Sequence, residues 1–294
     1  MDDPLSLAAL VRAATARLAE AGVASARADA IALAAHTLSG DPGTVARMMI
    51  MREVLDRELA DRYDDLVQER ARRVPLQHLT GTAYFRHLTL RVGPGVFVPR
   101  PETEVVAQAA IDEARGCGPH PVVIDLCSGS GAIAFAVKDE VPMAQVIGVE
   151  LDALALGWAR ANRDELDLDV QLIEADATAP VAELKEVAGE VDVVVSNPPY
   201  IPTGMVPIDP EVRDHDPTIA LYGGSPDGLA IPLAVAEQAA GLLRPGGLLV
   251  MEHADTHGES LPAALTRTGV WREVGANLDL AGRARYVTAR RAGP

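Results

Sequence analysis

The chain has 294 residues, 48% hydrophobic but only 3% aromatic, and its 26 basic and 42 acidic side chains give a net charge of −16. That length suits one large domain or a large and a small one, with a core of Ala, Val and Leu. The acidic excess lies almost wholly beyond residue 75, where the net charge is −14, and such a field repels phosphate backbones, which argues against nucleic acid as a direct partner.

No segment approaches the roughly 18 uncharged apolar residues of a membrane helix. The opening Met-Asp-Asp-Pro lacks the charged-then-apolar pattern of a secretory signal, so a cytoplasmic protein is expected. The two cysteines, Cys117 and Cys127, have no metal-ligand spacing and fit a reducing compartment. His253 and His257 stand four apart, but their flanks do not make His-Glu-x-x-His, and no metal is expected.

Residues 5–73 read as helices. Leu5, Ala8, Ala9, Val11 and Leu18 make one apolar stripe, and Ile31, Leu33, Ala34 and Leu38 another. A third helical segment from about Thr44 to Arg73 carries Val54, Leu55, Leu59, Leu66 and Val67 among charges. Gly22, the turn Gly40–Gly43 and Pro75 punctuate them, so a small N-terminal helical bundle spanning 1–75 is predicted. Across 76–98 the period changes, and Tyr84, Phe85, Leu88, Leu90 and Val92 predict a β-hairpin linker. In Pro99-Arg100-Pro101-Glu102-Thr103-Glu104, Pro101 suits a first helical position, and the two acids suit the positive end of a helix dipole.

From Pro121 strands and helices alternate. The predicted strands are Val122–Leu126, Val146–Glu150, Val170–Glu174, Val191–Ser196 and Gly246–Glu252, with helices after most of them and a closing hairpin near Trp271–Ala276 and Arg285–Ala289. This pattern implies an α/β fold over 99–294, a mostly parallel Rossmann-like sheet with an antiparallel end.

Two motifs carry chemistry. Gly129-Ser-Gly131-Ala-Ile-Ala134 follows a strand, and Glu150 ends the next one, which is the pattern of a nucleotide-binding loop with a ribose-holding acid. By itself this does not separate a nicotinamide enzyme from one that takes S-adenosylmethionine. Asp125, three residues before Ser128, tips the choice: it suits an ammonium group and repels a pyrophosphate. Asp176, after the third strand, can accept from an adenine amino group. The second motif, Asn197-Pro198-Pro199-Tyr200, ends a buried strand. Its two prolines remove two N–H donors, leaving the Asn197 and Pro198 carbonyls without a neighbouring donor. Such a cluster of acceptors can hold an –NH₂ group by both hydrogens, a task that hydride transfer does not have.

Taken together, Pro99–Glu104, Asp125–Ala134 and Asn197-Pro198-Pro199-Tyr200-Ile201 resemble the HemK/PrmC family, whose members are N5-glutamine methyltransferases of peptide chain release factors. Asp216-Pro217, Ala220-Leu221, Gly246-Gly247, Glu252-His253 and Arg285-Tyr286-Val287 match it in order. Asn-Pro-Pro-Tyr alone is shared with adenine-N6 DNA methyltransferases, whereas Pro-Arg-Pro-Glu-Thr-Glu is more specific. Cys127 stands where that family usually has Gly, Ser128 and Ser130 replace frequent Thr, and Ala177 stands where some relatives carry an aromatic residue near adenine.

The resemblance implies a class I S-adenosylmethionine-dependent methyltransferase that acts as a monomer. Asp125, Cys127, Ser128, Gly129, Ser130, Gly131, Glu150, Asp176, Ala177 and Asn197 would line the cofactor. Asn197, Pro198 and Tyr200 would do the chemistry, and Pro199, Arg100 and Glu102 would join them in holding the glutamine of a Gly-Gly-Gln loop. The helical bundle would dock the release factor. An adenine-N6 nucleic-acid methyltransferase and a glutamine methyltransferase of another protein, such as a ribosomal protein, remain alternatives with the same acceptor chemistry.

Overall fold

Aspartate caps decide how the first 75 residues fold. The computed structural model describes residues 3–293, beginning with helices α1 (Leu7–Glu20) and α2 (Ala26–Thr37). The expected third segment proves to be two helices, α3 (Pro42–Ile50) and α4 (Arg57–Ala71). Asp41 accepts from Thr44 N at 2.9 Å and Asp56 from Leu59 N at 2.8 Å, so each opens a new helix. Between them Arg52 takes a left-handed φ of 56° and Val54 forms a bridge with Ser6. Leu7, Leu18, Leu33 and Tyr63 are fully buried in this unit's core, with the Tyr63 hydroxyl donating to Ala30 O.

The described chain divides into two compact units. The first comprises the chain through Thr82 plus a later excursion, Pro207–His215; the second comprises Ala83–Val206 and the chain from Asp216 onward. Helix α5 (Leu76–Thr80) follows α4 in the first unit, on residues expected to begin the hairpin linker. The excursion carries Glu211, which is buried. Arg70 bridges Asp29 and Glu211, at 2.7 Å to each, and Arg73 Nε donates to Glu211 at 2.7 Å. Burial works against the charge on Glu211, but its bonds to Arg73, Asp209 and Arg70 hold its carboxyl well below the usual range.

In the second unit a short hairpin, β1 (Thr82–Phe85) and β2 (Leu88–Arg91), precedes a 3₁₀ turn at Pro101–Thr103 and helix α6 (Glu104–Gly116). There follow β3 (Val122–Leu126), α7 (Ala132–Glu140), β4 (Gln145–Glu150), α8 (Ala153–Leu166), β5 (Val170–Glu174) and β6 (Val191–Ser196). After α9 (Pro210–His215), which lies in the excursion, come α10 (Ala230–Leu242), β7 (Leu243–Glu252), α11 (Ser260–Arg267), β8 (Trp271–Leu278) and β9 (Ala284–Arg291).

The sheet order is β5-β4-β3-β6-β7-β9-β8, parallel as far as β7 and antiparallel beyond. The α/β sheet with its antiparallel end is therefore as the sequence pattern implies. Two apolar layers cover it. One includes Val106, Ile111 and Phe135, and the other Val235, Leu242 and Leu265. Among the described residues no helix is long and apolar enough to cross a membrane.

The buried ion network yields a stability prediction. Arg70→Met strips Asp29 and Glu211 of a shared counter-ion and lowers unfolding stability by roughly 3 kcal/mol, measured by urea denaturation followed by circular dichroism. Glu211 is depressed in the folded state, so its contribution is present above its unfolded pKa near 4.3 and lost as pH falls through the folded value. Glu211→Gln accordingly narrows the gap between stability at pH 7 and at pH 3.

Candidate active site

Strand pairing brings the two motifs to one edge. β3 and β6 are neighbours, with Leu126 opposite Ser196, so the chain leaves the sheet side by side at Cys127 and Asn197. The Ser196 hydroxyl ties the ends together, donating to Leu126 O at 2.6 Å. The strand order reverses between these two strands, with β4 and β5 on one side and β7 on the other. In an open α/β sheet the crevice beyond such a switch point is where ligands bind.

The glycine loop is held from below. Ser128 N donates to Val149 O at 3.0 Å and Gly131 N to Ser128 O at 2.8 Å. Cys127 adopts a φ of 66°, the left-handed geometry that explains why Gly is common there. At Gly131 (φ 85°) a Cβ would fall 2.1 Å from the Phe135 ring, so only glycine fits; at Gly129 (φ 55°) nothing lies within 4 Å, leaving the backbone open to a ligand. Buried Asn162, which sequence reasoning missed, donates to Ser130 O and to Arg91 O and accepts from Arg91 N. It locks the loop to β2.

Three carboxylates surround this loop. Asp125 is fully buried; its Oδ2 accepts from Ala134 N at 3.0 Å, while its Oδ1 has no hydrogen-bond partner among the described residues. Burial pushes its carboxyl up to about 8 against the pull of the Ala134 N–H, with the charge of Glu150 adding to the rise. Glu150 accepts from Gly129 N at 2.7 Å and Asp152 N at 2.8 Å, and burial raises it too. Asp176 is exposed and turns one oxygen to the Thr178 N–H and hydroxyl, beside buried Ala177.

The second motif is braced by a later segment. Tyr200 N and Ile201 N both donate to Leu221 O, and Thr203 N donates to Ser225 O. At Gly228 (φ 74°) a Cβ would fall 2.2 Å from Tyr200 O. Pro198 is buried and Asn197 and Pro199 are half-buried. Among the described residues no donor reaches the Asn197 or Pro198 carbonyl, so both acceptors remain available. Asn197 Nδ2 lies 3.5 Å from Thr103 Oγ1, and the Tyr200 hydroxyl donates to Glu252 Oε1 at 3.2 Å. Burial, with Glu252 adjoining, raises the Tyr200 phenol.

The two remaining expected substrate residues are already engaged. Arg100 stacks 5.0 Å from the Phe97 ring centroid and donates to Asp216 Oδ2 at 2.7 Å; Glu102 lies 3.5 Å from Arg283. Thr103 and Glu252 lie in motifs that carried the family resemblance, but the sequence reading gave neither a role. Besides those motifs, the available signal was a carboxylate closing the apolar run 248–251. Among the described residues no group of His, Cys, Asp and Glu is arranged to hold a metal.

A glycine loop lined with carboxylates cannot welcome a pyrophosphate, but it suits a nucleoside whose attached chain is cationic. On this switch-point sheet with its antiparallel last pair, that defines a class I S-adenosylmethionine-dependent methyltransferase. The family models agree, with the PrmC N-terminal domain matching residues 9–81 and the Methyltransferase small domain residues 103–206. The chain belongs to the release factor glutamine methyltransferase family. A member named so from Mycolicibacterium smegmatis is 48% identical over 281 residues, covering 96% of each chain. One from Streptomyces coelicolor is 47% identical over 290 residues, covering 98% of this chain and 99% of its own. Among solved structures, the T. thermophilus 16S rRNA N2 G1207 methyltransferase RsmC, in complex with AdoMet and guanosine, is 21% identical. It covers 71% of this chain and 49% of its own at a TM-score of 0.49.

The state of Asp125 gives a linkage prediction. Because folding raises its pKa, stability falls as pH climbs from the unfolded value near 4 through about 8. Asp125→Asn removes that loss, so at pH 9 the variant melts a few degrees higher than the parent, and the difference shrinks toward pH 5. We propose that Asp125 meets the cationic end of S-adenosylmethionine, in which case binding at pH 7 restores the carboxylate and releases a proton. Calorimetry in two buffers of different ionisation heat detects this, and Asp125→Asn abolishes both release and tight binding.

Proposed function

We infer that this protein transfers a methyl group from S-adenosylmethionine to the side-chain amide nitrogen of a glutamine in peptide chain release factors. The observation that carries the reading is the β3–β6 register, which sets Asn197 and Pro198 beside the glycine loop. The near-complete coverage of relatives bearing that activity in their names supports the substrate. We assign the acceptor to the Gly-Gly-Gln loop and the reaction to the cytoplasm.

The residues present fit the donor. The partnerless Oδ1 of Asp125 awaits an ammonium group, the open face of Gly129 admits a ligand against the backbone, and Glu150 keeps lone pairs beyond those used on Gly129 and Asp152. When bound, S-adenosylmethionine supplies a sulfonium methyl, an electrophile that needs no activation by the protein.

The difficulty lies with the nucleophile, since an amide nitrogen delocalises its lone pair into the carbonyl. Asn197 Oδ1 and Pro198 O accept its two hydrogens. These bonds strengthen as positive charge develops on nitrogen, so they favour the transition state over the ground state. Pro198 and Pro199 fix the backbone, so the acceptors are in place before the substrate arrives. The proton displaced from nitrogen leaves to water after transfer, and no general base is required.

We assign the helical unit to docking. Its α3–α4 turn exposes Ile50, Met51 and Val54 at 80%, 69% and 53%, an apolar patch of the sort that protein partners cover. Met51→Glu with Ile50→Glu therefore raises KM for whole release factor several-fold while leaving kcat unchanged.

Incubation with methyl-labelled S-adenosylmethionine, a purified release factor and duplex DNA tests the reading. Tryptic mass spectrometry finds one added methyl on the Gly-Gly-Gln glutamine and none on DNA; label on adenine overturns the substrate. Asn197→Ala retains S-adenosylmethionine affinity by calorimetry but loses at least roughly 100-fold in kcat.

A further inference from the structure

An asparagine amide is nearly symmetrical in shape, but its two ends are opposite in hydrogen bonding. Only with Oδ1 toward the substrate can Asn197 accept an amide hydrogen; reversed, its NH₂ group would confront the substrate NH₂, donor against donor. Something must therefore anchor Nδ2. The atom within reach is Thr103 Oγ1, at 3.5 Å, a long contact of the kind that tightens when a substrate binds. A hydroxyl alone does not choose between the two orientations, because it can accept from Nδ2 or donate to Oδ1 equally well. The choice depends on where the Thr103 hydrogen is directed.

Beside Thr103 lies the carboxyl of Glu252, 2% exposed at the end of β7 and the recipient of the Tyr200 hydroxyl at 3.2 Å. Its Oε2 has no hydrogen-bond partner among the described residues. We propose that Glu252 is a positioning residue for methyl transfer: as an acceptor-only carboxylate it draws the Thr103 and Tyr200 hydroxyl hydrogens to itself, so that Thr103 Oγ1 faces Asn197 Nδ2 and Asn197 Oδ1 faces the acceptor amide. The relay joins the turn before α6, the turn after β6 and the end of β7. It rests on the reading of Asn197 as acceptor for the glutamine amide.

The charges around Glu252 suit this task. Arg285 on β9 favours the carboxylate while chiefly paired with Asp279, at 3.1 Å. Glu102, from the turn before α6, opposes it, and His253 is the next residue along the strand. Burial raises the carboxyl to about 7 against the pull of the neighbouring Thr103 hydroxyl, the charge of Arg285 and the hydrogen bond from Tyr200. Below that pH Glu252 carries a proton and becomes a donor itself, and the relay loses its direction.

The test compares the parent with Glu252→Gln, Thr103→Val and Thr103→Ser at saturating S-adenosylmethionine. Glu252→Gln, close in shape but able to donate, is expected to lower kcat roughly 100-fold and to remove the fall in kcat on the acid side of pH 7. S-adenosylmethionine affinity by calorimetry changes less than twofold. Thr103→Val reproduces the loss, and Thr103→Ser, which keeps the hydroxyl, recovers it. In the enzyme without ligands, the ¹⁵N-edited signal of the Asn197 side-chain NH₂ shifts with a midpoint near pH 7 in the parent and does not titrate in Glu252→Gln. A Glu252→Gln enzyme with parental kcat and an unchanged acid limb overturns the proposal. If Asn197→Ala is inactive in that case, the relay alone fails; if Asn197→Ala is also active, the acceptor reading fails with it.

Discussion

The parallel pairing of β3 with β6 is the constraint on which the rest depends. Hydrogen bonds between the two strands end at Leu126 and Ser196, and immediately beyond them the backbone does two opposite things. After β3 the glycines spend their N–H groups inside the protein, Gly129 on Glu150 and Gly131 on Ser128 O, and leave an open face at Gly129. After β6 the prolines withhold N–H groups and leave carbonyls. An open glycine loop thus stands next to an acceptor-rich turn at a fixed spacing, set by sheet geometry rather than by flexible side chains. A slip of one register position would separate the two sites by a residue's rise and turn their side chains to the opposite face.

The same region concentrates carboxylates that the protein alone does not satisfy. Asp125, Glu150 and Glu252 are all raised by burial, and Asp125 and Glu252 each retain an oxygen without a partner. In an unliganded fold these are liabilities. On the reading proposed above, the free oxygen of Asp125 takes a cationic group of the ligand, whereas Glu252 already has the charge of Arg285 beside it. Other arginines are spent on their own partners: Arg100 on Asp216, Arg290 on Glu113.

Much of this was legible in the sequence. The strands Val170–Glu174 and Val191–Ser196 and the helix Ser260–Arg267 have the bounds their apolar runs implied, and both motifs declare their local chemistry through Gly, Pro and Asn. What stayed hidden depends on distance along the chain. Thr103 and Glu252 lie in recognisable motifs far apart in the chain, and only the packing of β7 and β6 with the turn before α6 brings them together. Asn162 lies on α8 but serves the loop before α7. The break between α3 and α4 was obscured by strong helix formers on both sides, although Asp56 was the cap that marked it. Helix α9 is too short for periodicity and is fixed by the ion pairs of Glu211.

That last feature bears on how the protein is made. The first unit does not finish where its helices end, because Glu211 follows Arg73 by 138 residues. At ordinary rates of bacterial synthesis this is a delay on the order of ten seconds. Throughout it, Arg70 and Arg73 have emerged and α1–α4 can collapse, but one of their principal anions is still unmade. The first part of the chain to leave the ribosome is therefore among the last to be completed, and the order of translation is not the order of consolidation.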